Sequence, residues 1–167
     1  MIDEVHRFIV PTAFALLPPT MRSDRATAML LAIGLQESRF LHRRQFHNGP
    51  ARGFWMFERG GGITGVLQHE RSQRDADRIV RLLRYDLAPS RLASTVHVAI
   101  EHNDILAACF ARLLLWTVPG VLPGPNDDPQ IAWEQYLEGW RPGAPHRETW
   151  DNIYAEAWAR VEILRRE

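Results

Sequence analysis

The stretch Ala26-Thr27-Ala28-Met29-Leu30-Leu31-Ala32-Ile33-Gly34-Leu35-Gln36-Glu37-Ser38-Arg39-Phe40 carries its apolar side chains at helical spacing. Ala26, Met29, Leu30 and Ile33 fall at i, i+3, i+4 and i+7, one face of an α-helix, and Ser23 or Asp24 supplies an N-cap ahead of them. The spacing predicts a helix running to about Ser38. Glu37, at i+11, extends the apolar stripe instead of the solvent face, and it falls in the last turn, where unpaired carbonyls repel a negative charge. Burial and the helix dipole both disfavour the ionised form and raise the pKa. A carboxyl kept protonated near neutrality is what a general acid must be, a contribution of roughly 10²–10⁴-fold in rate. The competing reading is a helix that frays at Leu35 and leaves Glu37 pointing into water.

Outward from this helix the chain reads as more of the same. Apolar periodicity between Pro and Gly punctuation predicts helices over 3–16, with Pro11 as a break or kink, then 63–69 and 72–85, while 92–100 reads as a short helix ahead of the alternative of a strand-like run. Asn103 caps a helix over 104–116 that is apolar almost all round, through Ile105, Leu106, Cys109, Phe110, Leu113 and Leu114, the pattern of a buried central helix. Final helices are expected over 130–140 and 149–165, the last with a stripe of Trp150, Ile153, Tyr154, Ala157, Trp158, Val161 and Leu164. Residues 39–52 and 118–129 read as loops, and Gly60-Gly61-Gly62 as a flexible break. Strand signals are poor, so the expectation is an all-α chain forming one domain over 1–167.

Composition narrows the chemistry. The chain has 167 residues, 46% hydrophobic and 24% charged, enough apolar material for a core. Its twenty basic residues are all Arg and balance twenty acids. Zero net charge removes the bulk attraction that non-specific nucleic-acid or anionic-membrane binding needs, so no nucleic-acid partner is expected. With no Lys, P-loop, Schiff-base and Lys general-base chemistry are excluded. A single cysteine, Cys109, forms neither an internal disulfide nor a thiolate metal cluster. No segment approaches the roughly 20 apolar residues that span a bilayer, so no membrane insertion is expected. The acidic start Met1-Ile2-Asp3-Glu4 is wrong for a signal peptide, and the expectation is a protein made in the cytoplasm.

After Gln36-Glu37-Ser38-Arg39-Phe40 and a polar loop comes Gly49-Pro50-Ala51-Arg52-Gly53-Phe54-Trp55-Met56-Phe57-Glu58. This pair of segments resembles the lysozyme-like superfamily, in its soluble lytic transglycosylase and phage lysin branch, over about residues 26–63; residues 136–145 resemble phage relatives more loosely. In that branch a catalytic Glu ends a helix as Glu-Ser, and a Gly-Leu-Met-Gln-like turn follows. The resemblance implies a lysozyme-like helical domain with a substrate cleft and Glu37 as the catalytic acid. Ser38, Gly53, Phe54, Trp55, Met56 and Phe57 then fall on substrate-binding positions. Two departures stand out: Met56 occupies the place of the family's Gln, and no Ala-Tyr-Asn triplet occurs, the central helix reading Ala107-Ala108-Cys109-Phe110-Ala111. Tyr136 is the candidate for the missing phenol.

The implied activity is cleavage of the MurNAc–GlcNAc bond of peptidoglycan, with the glycan strand as partner and no cofactor or metal. In the transglycosylase branch the substrate's acetamido group attacks and an anhydro product forms; a muramidase needs a second carboxylate to activate water. Glu58 is the leading candidate for that role, followed by Asp86, Glu101 and Asp104, against the reading of Glu58 as an ordinary solvent acid. Trp55, Phe57, Trp133, Tyr136 and Trp140 are candidate sugar platforms, with Trp55 favoured for the cleft and Trp116, Trp150 and Trp158 assigned to packing. Arg39, Arg43, Arg44 and Arg52 are candidates to meet murein carboxylates, against the reading of a solvated loop. His42 with His47, and His97 with His102, lack the spacing of a helical zinc pair. A phage or prophage origin accounts for an enzyme released or injected without a signal sequence, or carried in a particle. The alternative is a non-catalytic virion component or murein-binding module of the same fold, with other virion proteins as partners.

Overall fold

The structure is a computed structural model that describes residues 1–85 and 89–166. Among the described residues it is helical throughout, with no strand and only two isolated bridges, Arg44–Arg52 and Arg52–Phe57. The helices are α1 (Ile2–Glu4), α2 (Val10–Leu16), α3 (Asp24–Ser38), α4 (Thr64–Gln68), α5 (Gln73–Leu82), α6 (Leu92–His102), α7 (Asp104–Thr117), α8 (Pro129–Trp140) and α9 (Arg147–Arg166). No helix is long and apolar enough to cross a membrane.

Capping follows the sequence. The Ser23 hydroxyl accepts from the Ala26 N–H at 3.0 Å and opens α3, and Asn103 accepts from Leu106 N–H at 3.0 Å to open α7. Pro11 neither breaks nor ends the first helix. It lacks an N–H and its ring crowds the carbonyl four residues back, and the chain answers with a π-helical turn over Val5–Ile9 just before it.

The core has two central helices where the sequence pointed to one. In α7 every residue from Leu106 to Leu115 is buried, Arg112 included; its Nε donates to the Met21 carbonyl at 2.7 Å and its guanidinium lies over the Trp116 ring. Burial lowers the Arg112 pKa to about 10, so it stays charged at neutral pH. In α3, Ala26 and the whole run from Ala28 to Leu35 are buried, although periodicity marked only one stripe. The reason is that α3 packs most extensively on α9 while also touching α7 and the π turn.

Gly60-Gly61-Gly62 is likewise not a flexible break. Arg59–Ile63 forms a second π-helical turn that runs straight into α4, anchored by the fully buried Ile63 and Val66. Asp86 lies outside the described residues.

Candidate active site

The local fold at Glu37 is set by how α3 ends. Arg39 and Phe40 both take left-handed backbone (φ 52° and 55°), which turns the chain sharply away from the helix. Phe40 then folds back over α3, and only a glycine fits beneath it: a Cβ on Gly34 would stand 2.2 Å from the Phe40 ring. The Ser38 hydroxyl donates to the Phe54 carbonyl at 2.7 Å and accepts from the Phe40 N–H at 3.1 Å, so it fastens the end of α3 to the following bend.

That bend, residues 52–57, closes through paired backbone bonds between Arg52 and Phe57 (2.9 and 2.8 Å). Gly53 has φ +72°, and a Cβ there would meet Ile100 Cγ2 at 2.6 Å, so the bend sits directly on the α6–α7 junction. From the other side the Trp140 indole N–H donates to the Trp55 carbonyl at 2.9 Å. The bend is thereby pinned between the C-terminal ends of α3 and α8.

Between these elements runs a groove of ≈ 1120 Å³. Glu37 lines it, with Met56 and Phe57 of the bend, Glu58 just after it, residues 60–62, 64 and 65, and Tyr136, Trp140 and Arg141 of α8 and its end. Glu37 is partly buried, and its Oε1 accepts a 2.7 Å hydrogen bond from the Tyr136 hydroxyl, the one hydrogen bond to this carboxylate among the described residues. Burial pushes the Glu37 pKa up to about 7; the Tyr136 bond opposes this, and the charge of Glu58 adds to it. Burial and the neighbouring carboxylate push the Tyr136 phenol well above its ordinary value, so it remains a donor. Its ring is held by stacking on Trp150 (5.2 Å, 13°), which continues to Tyr154 (6.0 Å, 14°).

The sequence-derived residues divide into two groups. Glu37, Ser38, Met56, Phe57, Glu58 and Tyr136 come together on the groove. Gly53, Phe54 and Trp55 do not reach it and are corrected to structural roles. Phe54 and Trp55 are fully buried, and the Trp55 indole donates to the Leu30 carbonyl at 2.8 Å inside the core. Phe57 is buried as well, its ring 6.1 Å from that of Trp140, and the tryptophan that lines the groove is Trp140. Trp133 is buried against Tyr136 and Trp150. Ser38 lines the groove, but its hydroxyl is occupied by the bend.

The arginine cluster also divides. Arg43 makes a two-pronged ion pair with Asp104 (2.8 and 2.8 Å) and covers the Phe54 ring, and Arg52 pairs with Glu101. These bonds remove Glu101 and Asp104 as catalytic candidates, since neither lines the groove. Arg39 remains on the groove, joined by Arg141, which the sequence did not single out. Arg141 also closes its helix in left-handed backbone (φ 48°). The exposed Leu41 and Phe46 form the outer lip, with His42 edge-on to Phe46 at 4.4 Å. Among the described residues no three His, Cys, Asp or Glu side chains converge as metal ligands.

Comparison with family models, with characterised proteins and with solved structures finds no match for this chain.

Proposed function

We propose that this protein is a peptidoglycan-cleaving glycosidase of lysozyme-like fold, a lytic transglycosylase or muramidase that uses Glu37 as its single general acid. The observation that carries the reading is a part-buried carboxyl on the wall of a ≈ 1120 Å³ groove, hydrogen-bonded to a phenol from another helix, with burial raising its pKa. A carboxyl whose pKa burial raises toward neutrality keeps a proton to deliver where an ordinary glutamate has lost it.

The chemistry runs as follows. Protonated Glu37 delivers its proton to the glycosidic oxygen as the bond from that oxygen to the sugar carbon breaks. The carboxylate left behind is stabilised by the Tyr136 hydroxyl, a hydrogen bond to the charged form, which is the stronger kind. Positive charge develops on the sugar and is met either by the substrate's own acetamido oxygen, giving an anhydro sugar, or by water activated at Glu58, giving a reducing end. Glu58 is exposed and lines the same groove, which makes it the candidate for the second route. Trp140 offers ring surface on the groove that holds the acid, and Arg39 and Arg141 offer cations for substrate carboxylates.

The deciding experiment digests purified murein sacculi with the protein and with Glu37→Gln, and analyses the products by mass spectrometry. The expected result is clearing by the parent alone. Anhydro ends assign transglycosylation and reducing ends hydrolysis. Equal inactivity of both proteins, with retained binding to sacculi, replaces the enzyme by a murein-binding virion component.

A further inference from the structure

Glu37 is not the only side chain through which the last turn of α3 reaches a distant part of the chain. Gln36, one residue earlier and on the same groove, is part-buried and uses both ends of its amide. Its Nε2 donates to the His146 carbonyl at 3.1 Å, and its Oε1 accepts from the Thr149 hydroxyl at 3.0 Å. The partners fix the orientation, since a carbonyl only accepts and so faces the amino side of the amide. Adjacent residues thus hold two different helices. Glu37 meets Tyr136 of α8, and Gln36 meets the first turn of α9 and the residue before it.

The segment that joins α8 to α9 walls the groove. Residues 141–146 read Arg-Pro-Gly-Ala-Pro-His, and Arg141, Pro142, Gly143, Ala144 and His146 line it. Among the described residues no backbone–backbone hydrogen bond involves 142–145, and its two prolines have no N–H to offer. At one end the Arg141 N–H donates to the Leu137 carbonyl at 3.0 Å. At the other the His146 carbonyl accepts from the Thr149 N–H (3.4 Å), the Thr149 hydroxyl (3.0 Å) and Gln36. Of these holds, Gln36 alone comes from outside the α8–α9 pair. The tie is not what brings α3 and α9 together, because α3 already packs on α9 more extensively than on any other helix.

We infer that Gln36 is a positioning residue of the glycan site: it fixes segment 141–146 as a wall of the groove that holds Glu37, so that the strand meets a preformed surface. The inference rests on the glycan reading above and adds to it a residue that acts through the segment and not on the transferred proton. Without the tie the segment has to be ordered as the strand binds, and that ordering subtracts from affinity. Gln36 is uncharged and is no hydrogen-bond partner of Glu37, so the acid itself is left as it is.

The test measures KM and kcat on soluble murein glycan strands for the full chain and its variants. Gln36→Met keeps the length of the side chain, stays neutral and removes both bonds. Thr149→Val removes the hydroxyl that holds the amide, at a residue that does not line the groove. Gln130→Met is the control: it removes the bond from Arg147 Nε to Gln130 Oε1 (3.1 Å), a tie to the same end of α9 away from the groove. Gln36→Met should raise KM about tenfold, with kcat within about twofold of the parent and the alkaline limb of the pH profile in place. Thr149→Val should raise KM as well, and the double variant should add nothing beyond Gln36→Met, since the two groups act as one unit. Gln130→Met should keep the parent's KM. If Gln36→Met fails to fold, Thr149→Val against Gln130→Met decides the matter.

An unchanged KM in Gln36→Met overturns the inference and leaves the enzyme reading intact. An unchanged KM in Thr149→Val does the same, because Gln36 would then act by touching the strand itself. A raised KM in Gln130→Met overturns it by making the effect a general loosening of α9. A fall in kcat with a displaced alkaline limb in Gln36→Met overturns it by placing Gln36 on the acid. A parent that cleaves no glycan ends both readings.

Discussion

The Tyr136 hydroxyl donates a 2.7 Å hydrogen bond to Oε1 of Glu37, joining the end of α3 to the middle of α8 across 99 positions of sequence. The bond favours the charged form of the carboxyl and so works against the burial that raises its pKa. Tyr136→Phe keeps the ring and its stacking on Trp150 but removes the donor. The Glu37 pKa should then rise further, and the alkaline limb of the cleavage profile, where the acid loses its proton, should move to higher pH. Rate against pH for the two proteins measures this. A limb that stays in place or moves down would mean that the bond does not govern the acid. The maximal rate should also drop about tenfold, because the carboxylate formed in the reaction loses its stabilising donor.

Glu37 should make the protein less stable as the medium becomes alkaline. Its pKa is raised from 4.5 to about 7 on folding, so between those values the unfolded chain releases the proton first and unfolding is favoured as pH rises. The effect is absent below the unfolded value, grows through the window and levels off above about pH 7, with a total on the order of 3 kcal/mol. Glu37→Gln removes the ionisation. Urea melts should show the variant equal to the parent near pH 4 and more stable by up to that amount near pH 8. A variant that is less stable at both would show that the carboxylate supports the fold.

Ser38 is expected to matter to the fold as much as to activity. Its buried hydroxyl satisfies the Phe54 carbonyl and the Phe40 N–H together. Ser38→Ala leaves both backbone groups unpaired, a cost of about 2–3 kcal/mol and a melting temperature lower by about 4–10 °C. Cleavage should fall as well, since the bend that carries Met56 and Glu58 loses its tie to the helix that carries Glu37. Calorimetry and sacculus clearing on the same preparation test both halves.

Local signals carried most of the helical layout. Ser23 and Asn103 cap by short-range geometry, and the apolar run of α7 has only one place to go in a small protein. Glu37 was readable for the same reason, as an acid whose register fell on an apolar stripe. What could not be read depends on partners far off in sequence. Trp55 looks like an exposed platform until α3 supplies the Leu30 carbonyl for its indole, and Arg43 looks solvated until Asp104 arrives 61 residues later. The glycine run reads as a break because propensity ignores the anchors Ile63 and Val66, which hold it helical. Left-handed backbone at Arg39 and Arg141 carries no sequence mark when the residue is not glycine or asparagine, and such strain collects at functional sites.

Met56 stands on the groove wall in left-handed backbone (φ 48°), at the position where the resembling family has glutamine. Its side chain is partly exposed, so an isosteric change of chemistry there should leave the fold unchanged. Met56→Gln supplies an amide where a thioether offers almost no hydrogen bond, and a neutral hydrogen bond to substrate is worth about 1 kcal/mol, or roughly fivefold. The variant should therefore clear sacculi about fivefold faster at an unchanged melting temperature. Glu58→Gln gives the complementary measurement. It removes a charge that raises the Glu37 pKa, so the alkaline limb should move to lower pH while cleavage and its products persist. If Glu58→Gln instead abolishes cleavage at every pH, Glu58 is the second catalytic carboxylate and the enzyme is a muramidase. If it shifts the limb alone, proton donation at Glu37 is sufficient and the substrate provides the nucleophile.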